Sequence, residues 1–81
     1  MKKALIVTDN DFLLGAFKAL TAKKHLKNWL FEYAYSPANN QFNLKYADAD
    51  WIRPVNIKQD YSAIIENYDC IFSLHCKQLF P

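Results

Sequence analysis

The sequence predicts a small α/β domain: a Rossmann-like open parallel sheet in the strand order 3-2-1-4. Three observations carry this. Apolar runs rich in β-branched and aromatic residues alternate with stretches of helical period, giving β-α-β-loop-β-α-β over 81 residues. The last apolar run, Cys70–Leu74, follows a helical stretch directly and turns polar at His75, as a buried parallel strand leaving a crossover would. One Gly and three Pro are too few turn residues for a dense antiparallel protein. With right-handed crossovers and double winding, Ile6 and Phe72 lie on adjacent strands. The topological switch point then falls between the first and fourth strands, where the loops Thr8–Asp11 and Ser73–Phe80 meet.

Taken in order, Ala4–Thr8 is a first strand, and Asp9-Asn10-Asp11 supplies helix-capping residues. Phe12, Leu13, Ala16, Phe17 and Leu20 recur at helical spacing, predicting an amphipathic helix over Asp11–Lys24. Gly15 falls inside it, at a cost of about 1 kcal/mol relative to Ala unless something packs closely there. Trp29–Tyr35 is the second strand, ended by Ser36-Pro37. Ala38–Trp51 shows no clear period and is read as a loop with one helical turn at most. Pro54 acts as a breaker, Val55–Lys58 is a short third strand, and Asp60 caps a helix through Tyr68 whose inner face is Tyr61, Ile64, Ile65 and Tyr68.

Composition narrows the function. Hydrophobic residues make up 52% of the chain, too many for a disordered one. A formal charge of +2 gives no reason to expect a nucleic-acid partner. The basic cluster Lys18, Lys23, Lys24, His25 and Lys27 reads as the solvated end of a helix, where cations complement the dipole. The apolar run after Met1-Lys2-Lys3 is too short for a secretory leader, and nothing approaches the ~20 apolar residues that cross a bilayer. A cytoplasmic address and no membrane association are expected. Cys70 and Cys76 then read as free thiols, and a Cys-x4-His-Cys zinc set lacks a second ligand pair.

Few residues look chemical on their own. Asp9 and Asp11 fit a metal pair, a carboxylate for a ligand amine, or helix caps, the cap reading being preferred. His75 has no visible carboxylate or nucleophile partner to make it a general base, and Ser73 lacks nucleophile-elbow glycines. Lys77 reads as solvated or as a contact for an anion. The first strand-to-helix turn carries no glycine, which excludes the Gly-x-Gly-x-x-Gly site of a nicotinamide dinucleotide.

Four blocks carry a resemblance: TDND after the first strand, YSP after the second, VNIK, and above all YDCIFSLHCKQLFP. Together they resemble the formyltransferases that use N10-formyltetrahydrofolate, and within them the sugar N-formyltransferases acting on nucleotide-linked amino sugars such as dTDP-4-amino-4,6-dideoxyglucose. The resemblance covers essentially the whole chain. It implies that residues 1–81 are the N-terminal part of a catalytic domain, truncated after the fourth strand, from a homodimeric parent serving O-antigen or other surface-glycan synthesis. It also implies that Cys76, Gln78 and Leu79 line the pterin pocket of the folate, largely through the main chain, with Lys77 beside it. The family's Asn-x-His pair and further Asp fall beyond the position matching Pro81. No catalytic residue and no metal ligand is therefore expected in this chain, and the chain alone is expected to be inactive. Two other readings stand beside this one: a receiver-like signalling module without a phospho-acceptor, which would fall near Ser73, and an inactive structural remnant.

Overall fold

The computed structural model describes residues 1–22 and 27–78. Strands β1 (Lys2–Thr8), β2 (Trp29–Tyr35), β3 (Ile52–Pro54) and β4 (Cys70–Leu74) pair in parallel in the order β3-β2-β1-β4. The expected order holds, and Ile6 sits in register between Tyr33 and Phe72. Receiver modules instead use the order 2-1-3-4-5, with the third strand beside the first, so the topology departs from that reading.

Helices α1 (Asp11–Thr21), α2 (Asn40–Lys45) and α3 (Ile57–Asn67) cover both faces of the sheet. On one face Leu5, Val7 and Ala34 pack against Val55, Ile57 and Ile64. On the other, Ile6, Tyr33, Tyr35 and Ile52 meet Leu14 of α1 and Phe42 of α2. Because β1 is central and covered on both faces, Ala4 through Thr8 are all buried.

Several local expectations change. Along α1 Leu14 is buried and Leu13, Phe17 and Thr21 are half-buried, while Phe12 is 81% exposed and Ala16, Lys18 and Leu20 are also exposed. Lys18 Nζ sits 3.4 Å from the centre of the Trp51 ring, and the Thr21 hydroxyl hydrogen-bonds the Tyr33 hydroxyl. Apolar residues ring most of α1, so its period did not identify the buried side. The expected end of this helix at Lys24, and Lys23, Lys24 and His25 of the basic cluster, lie outside the described residues.

The third strand falls earlier than expected, at Ile52–Pro54, although the Val55 N–H still donates to the Tyr35 carbonyl at 2.9 Å. Pro54 is tolerated because, among the described residues, β3 is an edge strand paired with β2 alone. Helix α3 accordingly starts at Ile57, capped by Asn56, whose Oδ1 accepts from Gln59 N at 3.1 Å, and Asp60 lies in its first turn. Ile57, Tyr61, Ile64 and Tyr68 form its inner stripe, and Ile65 is 52% exposed.

The segment expected to be mainly loop contains α2, capped by Asn39 and anchored by the buried Phe42. An aromatic chain fixes it to the sheet. Tyr35, Phe42, Tyr46, Trp51 and Tyr33 follow one another with ring centroids 5.1–5.8 Å apart in edge-on pairs.

The outer edge of β4 has no strand beside it among the described residues, and Phe72 is 41% exposed. Next to it, Phe17, Leu20, Thr21, Trp29, Phe31 and Phe72 line an apolar hollow of about 380 Å3.

Candidate functional site

The carboxyl ends of β1, β2 and β4 converge on one side chain, Asp9. Its Oδ1 accepts hydrogen bonds from the Ser36 N–H and Asn39 Nδ2, both at 2.9 Å. Its Oδ2 accepts from the Ser36 hydroxyl at 2.5 Å and from the Lys77 N–H at 2.8 Å. Burial works against the charged form of Asp9. The bonds from Lys77, Ser36 and Asn39 outweigh it and hold the carboxyl below its ordinary range.

Neither acidic residue of the first loop caps α1. The cap is Asn10 between them, whose Oδ1 accepts from Leu13 N at 2.9 Å. Asp11 occupies the first turn and pairs at the surface with Lys45 Nζ at 2.5 Å and the Tyr46 hydroxyl at 2.6 Å. These two bonds, that from Lys45 foremost, hold the Asp11 carboxyl below its ordinary range.

Beyond β4 the chain turns at His75, whose φ of 47° lies in the left-handed region that β-carbon-bearing residues rarely adopt. The His75 carbonyl accepts from the Asp9 N–H at 3.4 Å. Cys76 packs on the core beside α3, with its Sγ 3.7 Å from the Ser36 hydroxyl. Gln78 reaches the β3–α3 turn. Its Oε1 accepts from the Ile57 N–H and its Nε2 donates to the Val55 carbonyl, both at 2.7 Å. Residues 75–78 therefore run back from β4 across the ends of β1 and β2 to the end of β3, at the switch point the sequence nominated.

Of the expected cofactor-lining residues, Cys76, Lys77 and Gln78 are brought together here, and Leu79 lies outside the described residues. Ser73 and His75 are exposed. Sequence reading missed that Asp9 ties three loops together. Its partners Ser36, Asn39 and Lys77 are 27, 30 and 68 positions away, beyond the reach of any local motif.

A second polar cluster lies on the α3 face of the sheet. The Glu32 carboxylate meets Lys3 Nζ and Arg53 Nη1, each at 3.2 Å, and accepts from the Tyr68 hydroxyl, which accepts from Arg53 Nη2 at 2.8 Å. Burial again opposes the charge on Glu32, and the bonds from Tyr68, Lys3 and Arg53 win, keeping its carboxyl below the ordinary range. These residues line an open hollow of about 380 Å3. Among the described residues, no helix is long and apolar enough to cross a membrane.

No protein-family model matches the sequence, and no curated protein does. Solved structures match it closely. A 4-N formyltransferase from Francisella tularensis superposes with a TM-score of 0.86 at 34% identity, over 99% of this chain and 32% of its own. A sugar N-formyltransferase from a Shewanella species gives a TM-score of 0.80 at 31% identity, over 100% of this chain and 34% of its own. The chain thus spans about a third of the length of either protein. In fold and in sequence, residues 1–81 are similar to the N-terminal part of a sugar N-formyltransferase.

Proposed function

We propose that residues 1–81 are the co-substrate-holding part of an enzyme that moves a formyl group from N10-formyltetrahydrofolate to the amino group of a nucleotide-linked amino sugar. The observation that carries this reading is the similarity to solved formyltransferases along essentially the entire chain. The geometry agrees with it. A pterin presents a flat apolar face and a fixed edge of donors and acceptors, which suits a pinned stretch of backbone beside small and apolar side chains. Residues 76–78 are such a stretch, lying where open α/β sheets collect ligands.

When bound, the folate supplies the activated formyl group, and this chain's part is to bind and orient it. Transfer also needs a group to take the amine proton and a donor for the developing oxyanion. The 81 residues contain no Asn-x-His motif, so those roles are assigned outside them and the chain by itself is silent. The resemblance of the last block extends the reading to a dTDP-linked amino sugar, a role in O-antigen or other surface-glycan synthesis, a homodimeric parent and a cytoplasmic site of action. Within that reading, residues 1–81 are the N-terminal part of the catalytic domain.

A chimera tests it. These 81 residues replace the matching part of the Francisella enzyme, and formyl transfer from N10-formyltetrahydrofolate is assayed on nucleotide-linked amino sugars that the parent accepts. Retained turnover, with none from the isolated chain, supports the reading. A folded chimera that binds the sugar but takes no formyl group from the folate contradicts it.

A further inference from the structure

Two side chains hold residues 76–78: Asp9, whose acceptor positions are all taken within the protein, and Gln78, which is engaged at both ends of its carboxamide. A carboxylate offers about four acceptor positions, and all of those on Asp9 are taken, two at each oxygen. Asp9 therefore has no lone pair left for a ligand amine or a metal ion. The Gln78 carboxamide is engaged at both ends on the β3–α3 turn, which leaves Gln78 its backbone for any pterin.

We propose that Asp9 and Gln78 are positioning residues that fix the Cys76–Gln78 backbone in its folate-facing form before the co-substrate arrives. The proposal rests on the folate reading of this loop. Asp9 holds the Lys77 amide from the β1 side, and Gln78 fastens the far end to the turn that starts α3. Between β4 and these two latches stands His75 in its left-handed conformation. Such backbone persists where its surroundings over-determine it, and the two latches do so here. A loop ordered in advance spares the folate the entropy of ordering it, so loss of a latch weakens binding without touching a contact side chain.

Amide exchange on the 15N-labelled 81-residue chain tests the latches, with the Ile6 amide in the centre of β1 as the internal reference for global opening. In Asp9→Ala the Lys77 amide is expected to lose about tenfold or more of its protection relative to Ile6, since a charge-assisted bond has gone. In Gln78→Met the Ile57 amide loses protection in the same way. Gln78→Glu, which keeps the oxygen that accepts from the Ile57 amide but loses the donor to Val55, restores it in part. Protection that falls equally at Ile6, Lys77 and Ile57 overturns the proposal, because it describes a general loss of stability. Titration with 5-formyltetrahydrofolate supplies the functional arm. Affinity is expected to fall about tenfold in Asp9→Ala and Gln78→Met, with Gln78→Glu in between. Equal affinity in all variants overturns the positioning role. A wild-type chain that protects both amides but binds no 5-formyltetrahydrofolate refutes the folate reading while the latches stand.

Discussion

Replacing Gly15 by Ala should stabilise this protein. Gly15 sits in the middle of the 11-residue helix α1, and a β-carbon built there meets nothing within 4 Å. Its backbone is helical, so alanine takes it up without strain. The sequence alone could not decide the matter, because a helical glycine can mark a close approach of another element. The structure shows no such approach among the described residues. What remains is the backbone entropy that glycine loses on folding, worth about 0.5–1 kcal/mol relative to Ala in a helix interior. For a domain of this size that corresponds to a rise in Tm of roughly 2–8 °C. Thermal and urea unfolding followed by circular dichroism would measure it, with Ala16→Gly on the same exposed face as the mirror control, falling by a similar amount. A Gly15→Ala protein that is no more stable, or less so, would refute the reasoning.

Three further outcomes are expected. Leu14→Ala should cost about 2–5 kcal/mol in urea unfolding, because Leu14 is 1% exposed and is the buried anchor of α1, whereas Phe12→Ala, at 81% exposure, should stay within about 0.5 kcal/mol. Acid should unfold the chain through Asp9 and Glu32, whose carboxyls lie below their ordinary range when folded. Their stabilisation is complete above about pH 5, beyond the ordinary carboxylate values of the unfolded chain, and is lost as pH falls through the lowered folded values, so the Asp9→Asn/Glu32→Gln double variant should show a flatter loss of urea midpoint between neutral and acid pH. The open β4 edge and the exposed Phe72 should make the isolated chain self-associate, and Phe72→Lys should lessen this in sedimentation velocity. A monodisperse wild-type monomer with strongly protected Cys70–Leu74 amides would contradict it.

Sequence legibility followed how locally each feature is encoded. Strands β2 and β4 were read to their ends because aromatic alternation and a bounded apolar run are local signals. The strand order followed from the usual double winding with right-handed crossovers, which does not depend on particular side chains. Strand β3 was misplaced because proline is a breaker only where its missing N–H is needed, and at an edge strand it is not. Moving β3 then moved α3. Ile57 had been spent on the strand, so Asn56 was passed over as the cap in favour of Asp60. Helix α2 has one buried residue, Phe42, and one cannot show a period. At the site, the switch-point loops were legible from topology, whereas the roles of Asp9 and Gln78 depend on partners that only the folded chain brings together.

The most direct test of the account is a chemical-shift map of 5-formyltetrahydrofolate on the 15N-labelled 81-residue chain. The account predicts that perturbed amides cluster at Cys76, Lys77, Gln78 and Leu79 and at Asp9 and Ser36, the residues tied across the strand ends. Perturbations confined to the hollow of Lys3, Arg53 and Tyr68, or none at saturating folate, would contradict it.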